Sequence, residues 1–198
     1  GGPGPNKNFY NLTKGVNKNV TLYSDIEVEN KLQVVGTGRI RANGYDITVG
    51  GDWDMQNSIN FVPSTGQVIF NGSSAQTIDM PDNFSNLTIA NTAGVVSLTG
   101  NSQLRVSGTL TINNEANFDI NGKNLRKNAS TTNPVTLVNN GNLQLQGNET
   151  VYITPDTDSG TVTYDGSGAT GLAAGNSYFN LVFNQSGTST LDANLDVN

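Results

Sequence analysis

The side chains best suited to chemistry are carboxylates, and they fall in three places. Asp25, Glu27 and Glu29 alternate along one segment, so a strand there would aim all three the same way, into solvent. Asp52 and Asp54 flank Trp53, and Asp156 and Asp158 share the turn Pro155-Asp156-Thr157-Asp158-Ser159-Gly160. An oxygen-rich turn of this last kind is the best candidate for calcium, a hard cation that collects oxygen ligands. Neither the EF-hand spacing nor a repeated calcium-binding motif accompanies Asp156 and Asp158, so a solvated acidic turn is the simpler reading. Paired carboxylates also cleave glycosidic bonds. Such sites gather several acids with Arg, Lys or His in one groove, and no segment here shows that concentration. The sequence therefore assigns no catalytic residue, no cofactor and no metal beyond the weak calcium candidate, and the expectation is a protein that is not an enzyme.

Composition narrows the classes further. The chain of 198 residues has no histidine and no cysteine. The commonest general base, the usual transition-metal ligands and a disulfide framework are all missing. A net charge of −6 with ten scattered Lys and Arg argues against nucleic acid, which requires clustered cations. No apolar run is long enough to span a bilayer, and the start does not resemble a signal peptide. Only 13% of residues are charged, whereas disordered chains combine low hydrophobicity with dense charge. Polarity comes instead from Asn, Thr, Ser and Gly, residues that suit turns and solvated strand faces.

The aromatic and amide side chains read mainly as structure. Phe9, Phe84 and Phe179 each precede an Asn-Leu pair, at Asn11, Asn86 and Asn180. Recurrence in this setting points to a packed corner, with the asparagines satisfying backbone groups as stacked Asn ladders do. Trp53 is the least predictable aromatic, since it could pack inside or stack on a sugar. A face that binds ice would need a regular Thr-x-Thr array. Thr161-Val162-Thr163 and Thr188-Ser189-Thr190 match locally, without an evident stack of such segments.

The elements that must position these groups are short strands. Good helix formers are sparse, and Gly or Asn interrupts nearly every window. The dominant unit is an apolar-polar-apolar triplet, as in Ile26-Glu27-Val28, Leu32-Gln33-Val34, Ile47-Thr48-Val49, Leu104-Arg105-Val106 and Leu143-Gln144-Leu145. Period two places the outer residues on one face and the middle one in solvent. Triplets this closely spaced suit a coil that turns a corner after each strand, whereas a sandwich uses longer, more widely spaced strands. Asn43-Gly44, Asn71-Gly72, Asn121-Gly122 and Asn140-Gly141 are expected to supply corners with positive φ. The fold class expected is all-β, a parallel β-solenoid, with a right-handed β-helix as the specific form.

The Asn-Leu segments suggest a longer internal repeat. On that reading residues 1–8 are a linker or the end of a preceding repeat. Residues 9–198 form one solenoid, with superrepeats over 9–82 and 83–176 and a partial third over 177–198. The opening Gly1-Gly2-Pro3-Gly4-Pro5 reads as a linker, and Leu195-Asp196-Val197-Asn198 stops within an alternating pattern. Both ends are thus expected to be cut from a longer chain, whose neighbouring coils would cover the exposed edges.

The run Tyr45-Asp46-Ile47-Thr48-Val49-Gly50-Gly51-Asp52-Trp53 carries a resemblance. It leads into Phe61-Val62-Pro63-Ser64-Thr65-Gly66-Gln67-Val68-Ile69-Phe70-Asn71-Gly72, then Ser74-Ala75-Gln76-Thr77-Ile78 and Phe84-Ser85-Asn86-Leu87-Thr88-Ile89. This is similar to the repeats of very long surface proteins of Bacteroidota and related bacteria, including adhesins exported by the type IX secretion system. Residues 123–175 follow the pattern loosely, and no C-terminal sorting domain is matched. The resemblance implies an extracellular, cell-surface β-helix with a stalk or adhesive role. Its partners would be neighbouring repeats of the same longer chain, with surface glycans or other cell-surface proteins as further ligands. No nucleic acid and no membrane insertion are expected. The alternatives are a carbohydrate-active β-helix, a lyase or hydrolase with its site in residues 123–175 or outside this segment, and a segment of a phage or appendage fibre.

Overall fold

A computed structural model describes residues 7–57, 59–79, 83–100, 103–127, 133–168, 171–191 and 193–198. The described residues form strands and turns with no helix, and every strand pairing is parallel. The strands stack as the coils of a β-solenoid, as the triplets require. Lys7–Lys14 and Ile26–Val34 each run across a corner and so serve two faces at once. From the third coil onward that corner is broken.

The first face then continues through Ile47–Val49, Gln67–Phe70, Asn86–Ile89, Thr109–Ile112, Val135–Asn139 and Ile153–Thr154. The second runs through Asp52–Met55, Gln76–Asp79, Val95–Thr99, Asn117–Asp119, Asn142–Leu145, Thr161–Tyr164 and Asn180–Phe183. A third face is made of two shorter ladders. One joins Val20–Thr21, Ile40–Arg41 and Phe61–Val62, and the other joins Asn83–Phe84, Leu104–Val106 and Leu125–Arg126. The latter extends by a bridge from Leu125 to Val151.

Register explains the core. On the first face Ile26, Ile47, Val68, Leu87, Leu110 and Leu137 pair in succession, and all are buried. On the second, Val96, Phe118, Leu143 and Val162 do the same. A slip of one residue would turn a whole column into solvent, so the alternation in each triplet fixes the pairing. Each buried aliphatic side chain contributes about 1.5–3 kcal/mol. A coil gains this only when its neighbours cover it, which makes the stack cooperative.

The corners behave in two ways. Asn43-Gly44 and Asn121-Gly122 adopt positive φ at both residues, as expected. Asn71-Gly72 and Asn140-Gly141 do not. There glycine answers a different need, because a Cβ on Gly141 would stand 2.3 Å from the carbonyl oxygen of Ala116 in the coil beneath. The tightest approach is at Gly51, where an added Cβ would meet the Asn30 carbonyl oxygen at 1.4 Å.

The three Asn-Leu segments occupy two different faces. Asn11 and Asn180 lie on the second face, whereas Asn86 lies on the first. The coil is the unit that repeats in the structure. The first described strand starts at Lys7, within residues 1–8, read as a linker or the end of a preceding repeat. Residues 133–168 of the loosely matching region keep the same faces and registers as their neighbours.

Candidate functional site

The acids of the first coils line up as the alternation demands. Ile26 and Val28 point inward, and Asp25, Glu27 and Glu29 outward. Asp25 and Glu27 are half-buried against the neighbouring coils, and only Glu29 is exposed. The Asp25 carboxylate accepts a hydrogen bond from the Asp46 amide at 2.9 Å, and Asp46 accepts in turn from the Gln67 amide at 2.9 Å. Gln67 accepts from the Thr88 hydroxyl at 3.1 Å. These groups form a ladder that ties one coil to the next, so their polar atoms are largely committed within the fold.

Asp52 and Asp54 follow the same rule on the second face. Asp52 accepts from both the amide and the hydroxyl of Thr77 at 2.8 Å. Asp54 accepts from Gln33 at 2.7 Å and pairs with Lys31 at 2.6 Å. That hydrogen bond holds the Lys31 ammonium above its ordinary pKa. Trp53, between the two acids, is fully buried. Its ring meets Phe61 edge-on at 4.9 Å, Phe84 at 5.4 Å and Phe70 at 6.3 Å. It is a core residue and no platform for a sugar, although its indole N–H has no acceptor among the described residues.

Asp156 and Asp158 also work as turn-builders. Asp156 accepts from the Asn139 amide at 2.5 Å, one coil away, and from the Asp158 amide at 3.3 Å. Asp158 accepts from the Ser159 hydroxyl at 3.2 Å. Burial pushes the Asp156 carboxyl above the usual range, opposed by the Asn139 amide and reinforced by Asp158. Two carboxylates so engaged supply a minority of the six to eight oxygens that calcium takes. Among the described residues no group of three or more acids is disposed to hold a metal ion.

A second acidic gathering went unnoticed in the sequence. Asp119, Glu149 and Asp165 act on one another near the corner between the second and third faces. Burial, with repulsion from its neighbours, raises the Asp119 carboxyl, and burial with repulsion from Glu149 raises Asp165. Glu149 is itself buried and accepts from the amides of Gly122, Gln146 and Gly147 at 3.2, 2.5 and 2.6 Å. Its carboxylate clamps a turn through these three amides.

The recurrent aromatics divide. Phe84 is fully buried, but Phe9 and Phe179 are 36% and 37% exposed. Phe9 belongs to the first described coil, and Phe179 leads into Asn180–Phe183, the last described strand of the second face. The asparagines do bridge coils, though differently at each position. Asn86 donates to the Thr65 carbonyl and accepts from the Thr109 amide, Asn180 donates to the Gly160 carbonyl, and Asn11 accepts from the Asn30 side chain. On the second face Thr163 donates to Asn142 at 2.8 Å.

The strongest polar constellation lies inside. Gln76 is buried at the corner between the first and second faces. It donates to the carbonyls of Val49 and Gly51 at 3.0 and 2.6 Å and accepts from the Gly72 amide at 2.8 Å. Asn91, fully buried one coil on, donates to Gln76 at 3.0 Å and accepts from the amides of Ala93 and Gly94. Only a polar residue one position out of the apolar pattern could have signalled this ladder.

No family model matches the chain, and neither a curated protein nor a solved structure matches it.

Proposed function

We propose that this chain is a rigid stalk or display segment of a large bacterial surface protein, carried outside the cell. The observation that supports this most is the unbroken in-register interior, from Ile26 to Leu137 on one face and from Val96 to Val162 on another. Such a stack transmits load through parallel backbone ladders and cooperative burial. Outward carboxylates such as Asp25, Asp46, Asp52 and Asp54 accept hydrogen bonds from the neighbouring coil, which strengthens the same ladders. The resemblance of the 45–89 run to Bacteroidota surface repeats is what favours a surface location and export by the type IX route.

Pulling the chain from its two ends in a single-molecule instrument tests the mechanical part. The expected trace shows resistance that fails in steps matching whole coils. Extension at low force without steps would contradict a load-bearing role.

A further inference from the structure

The ladder of the third face that contains Leu104–Val106 and Leu125–Arg126 carries two stacked cations. Arg105 stands outward on Leu104–Val106, and Arg126 is its register partner on Leu125–Arg126. Adjacent strands lie about 4.8 Å apart, so two like charges are stacked directly, which is unfavourable. Neither arginine forms an ion pair among the described residues, where Lys31–Asp54 is the one such pair. Glu149, just before this face in the chain, is turned inward onto amides.

The two guanidinium groups are nevertheless held in place. Gln103, with its amide oriented to satisfy both groups, accepts from Arg105 Nε at 3.0 Å and from a terminal nitrogen. The Arg126 guanidinium lies over the Tyr152 ring at 5.7 Å. Tyr152 belongs to the next coil, its amide donating to the Leu125 carbonyl at 2.9 Å. Arg126 Nε is closed off from solvent and has no acceptor among the described residues, which leaves the terminal nitrogens of Arg126 to meet a ligand. Among the described residues these two oriented cations have no acidic partner, and Gln103 takes only part of the donor capacity of Arg105.

We propose that Arg105, Arg126 and Tyr152 form a subsite for an acidic glycan, whose carboxylate or sulfate oxygens bind between the two guanidinium groups. Guanidinium groups match paired oxygens of carboxylates and of tetrahedral oxyanions such as sulfate with paired hydrogen bonds. The edge of Tyr152 adds an apolar wall for a sugar ring. A glycan fits better than nucleic acid, because two neighbouring arginines suit a single carboxylate or sulfate, whereas nucleic acid requires a longer cluster of cations than the scattered Lys and Arg of this chain provide. The subsite does not need the stalk reading: that one rests on the interior, this one on outward side chains, and each can fail alone.

The test uses the whole chain and four probes: an oligogalacturonate, a chondroitin sulfate oligosaccharide, a neutral malto-oligosaccharide and oligothymidylate. Binding is followed by calorimetry at low and moderate salt. The expected result is salt-sensitive binding of the uronate or the sulfated glycan and none of the neutral one. The tighter of the two acidic probes identifies the oxyanion. R126Q should weaken binding about tenfold, the loss of one charged hydrogen-bond pair. R126K should also weaken it, having charge but no fork, while R41Q, on the other ladder, should leave it unchanged. R126Q should leave the melting temperature nearly unchanged, since relief of like-charge repulsion offsets the lost contact with Tyr152. No binding of either acidic glycan, equal loss in R41Q, binding unaffected by R126Q, or preference for oligothymidylate would each overturn the proposal.

Discussion

Replacing Gln76 by leucine tests whether the buried amide ladder is a structural device of the coil. The two side chains are close in volume, so packing is preserved and the change isolates hydrogen bonding. The amide of Gln76 serves the carbonyls of Val49 and Gly51, the amide of Gly72 and the side chain of Asn91. All of these sit at a closed corner where Gly72 and Gly51 pack against the coils beneath, so water has little room to substitute. An orphaned buried polar group costs about 1–3 kcal/mol. With four groups affected and partial relaxation, the loss should be about 4 kcal/mol. At a urea m-value of about 2 kcal/mol/M the midpoint should fall by about 2 M. Circular dichroism in a urea titration reads this directly, with Ile78→Ala, a core truncation in the same strand costing about 2–5 kcal/mol, as the yardstick. A Gln76→Leu midpoint equal to that of the parent would refute the reasoning, because the ladder would then be replaceable by an apolar contact.

Three further outcomes follow from the same physics. Glu149→Ala removes the acceptor for three amides and should cost about 3 kcal/mol in the same titration. Phe84→Ala should cost about 3–5 kcal/mol, whereas Phe179→Ser, at a partly exposed ring, should cost far less; similar losses would contradict the assigned burial. Asp119, Asp156 and Asp165 all have carboxyl groups raised above their ordinary 3.8. The folded chain therefore binds more protons than the unfolded one between that value and the raised ones. Stability should rise as pH falls from neutral into this window, and Asp119→Asn should diminish the gain. A melting temperature that falls steadily over the same interval would contradict it.

Much of the fold was legible because its signal is local. In Ile26-Glu27-Val28 and Ile47-Thr48-Val49 the same period of two recurs at each coil, and parallel stacking follows from its close spacing. The exact register was not legible. Asn11 and Asn86 look alike because both open an Asn-Leu strand that bridges coils, yet they stand on different faces. Chain composition cannot distinguish two faces that obey one alternation rule. Asn140-Gly141 misled in another way, since glycine there admits a neighbouring carbonyl without needing positive φ. Gln76, Asn91 and Glu149 were unreadable as interior residues, because polar side chains enter a core only where a bent backbone leaves groups to satisfy. The pairing of Arg105 with Arg126 depends on the same register.

The most direct test of the proposed role is the mass of the intact native polypeptide, with peptide mapping to place this segment and protease shaving of whole cells to locate it. The account predicts a chain many times longer than 198 residues, released from the cell surface and containing further coils of this construction. A short chain retained inside the cell would contradict it.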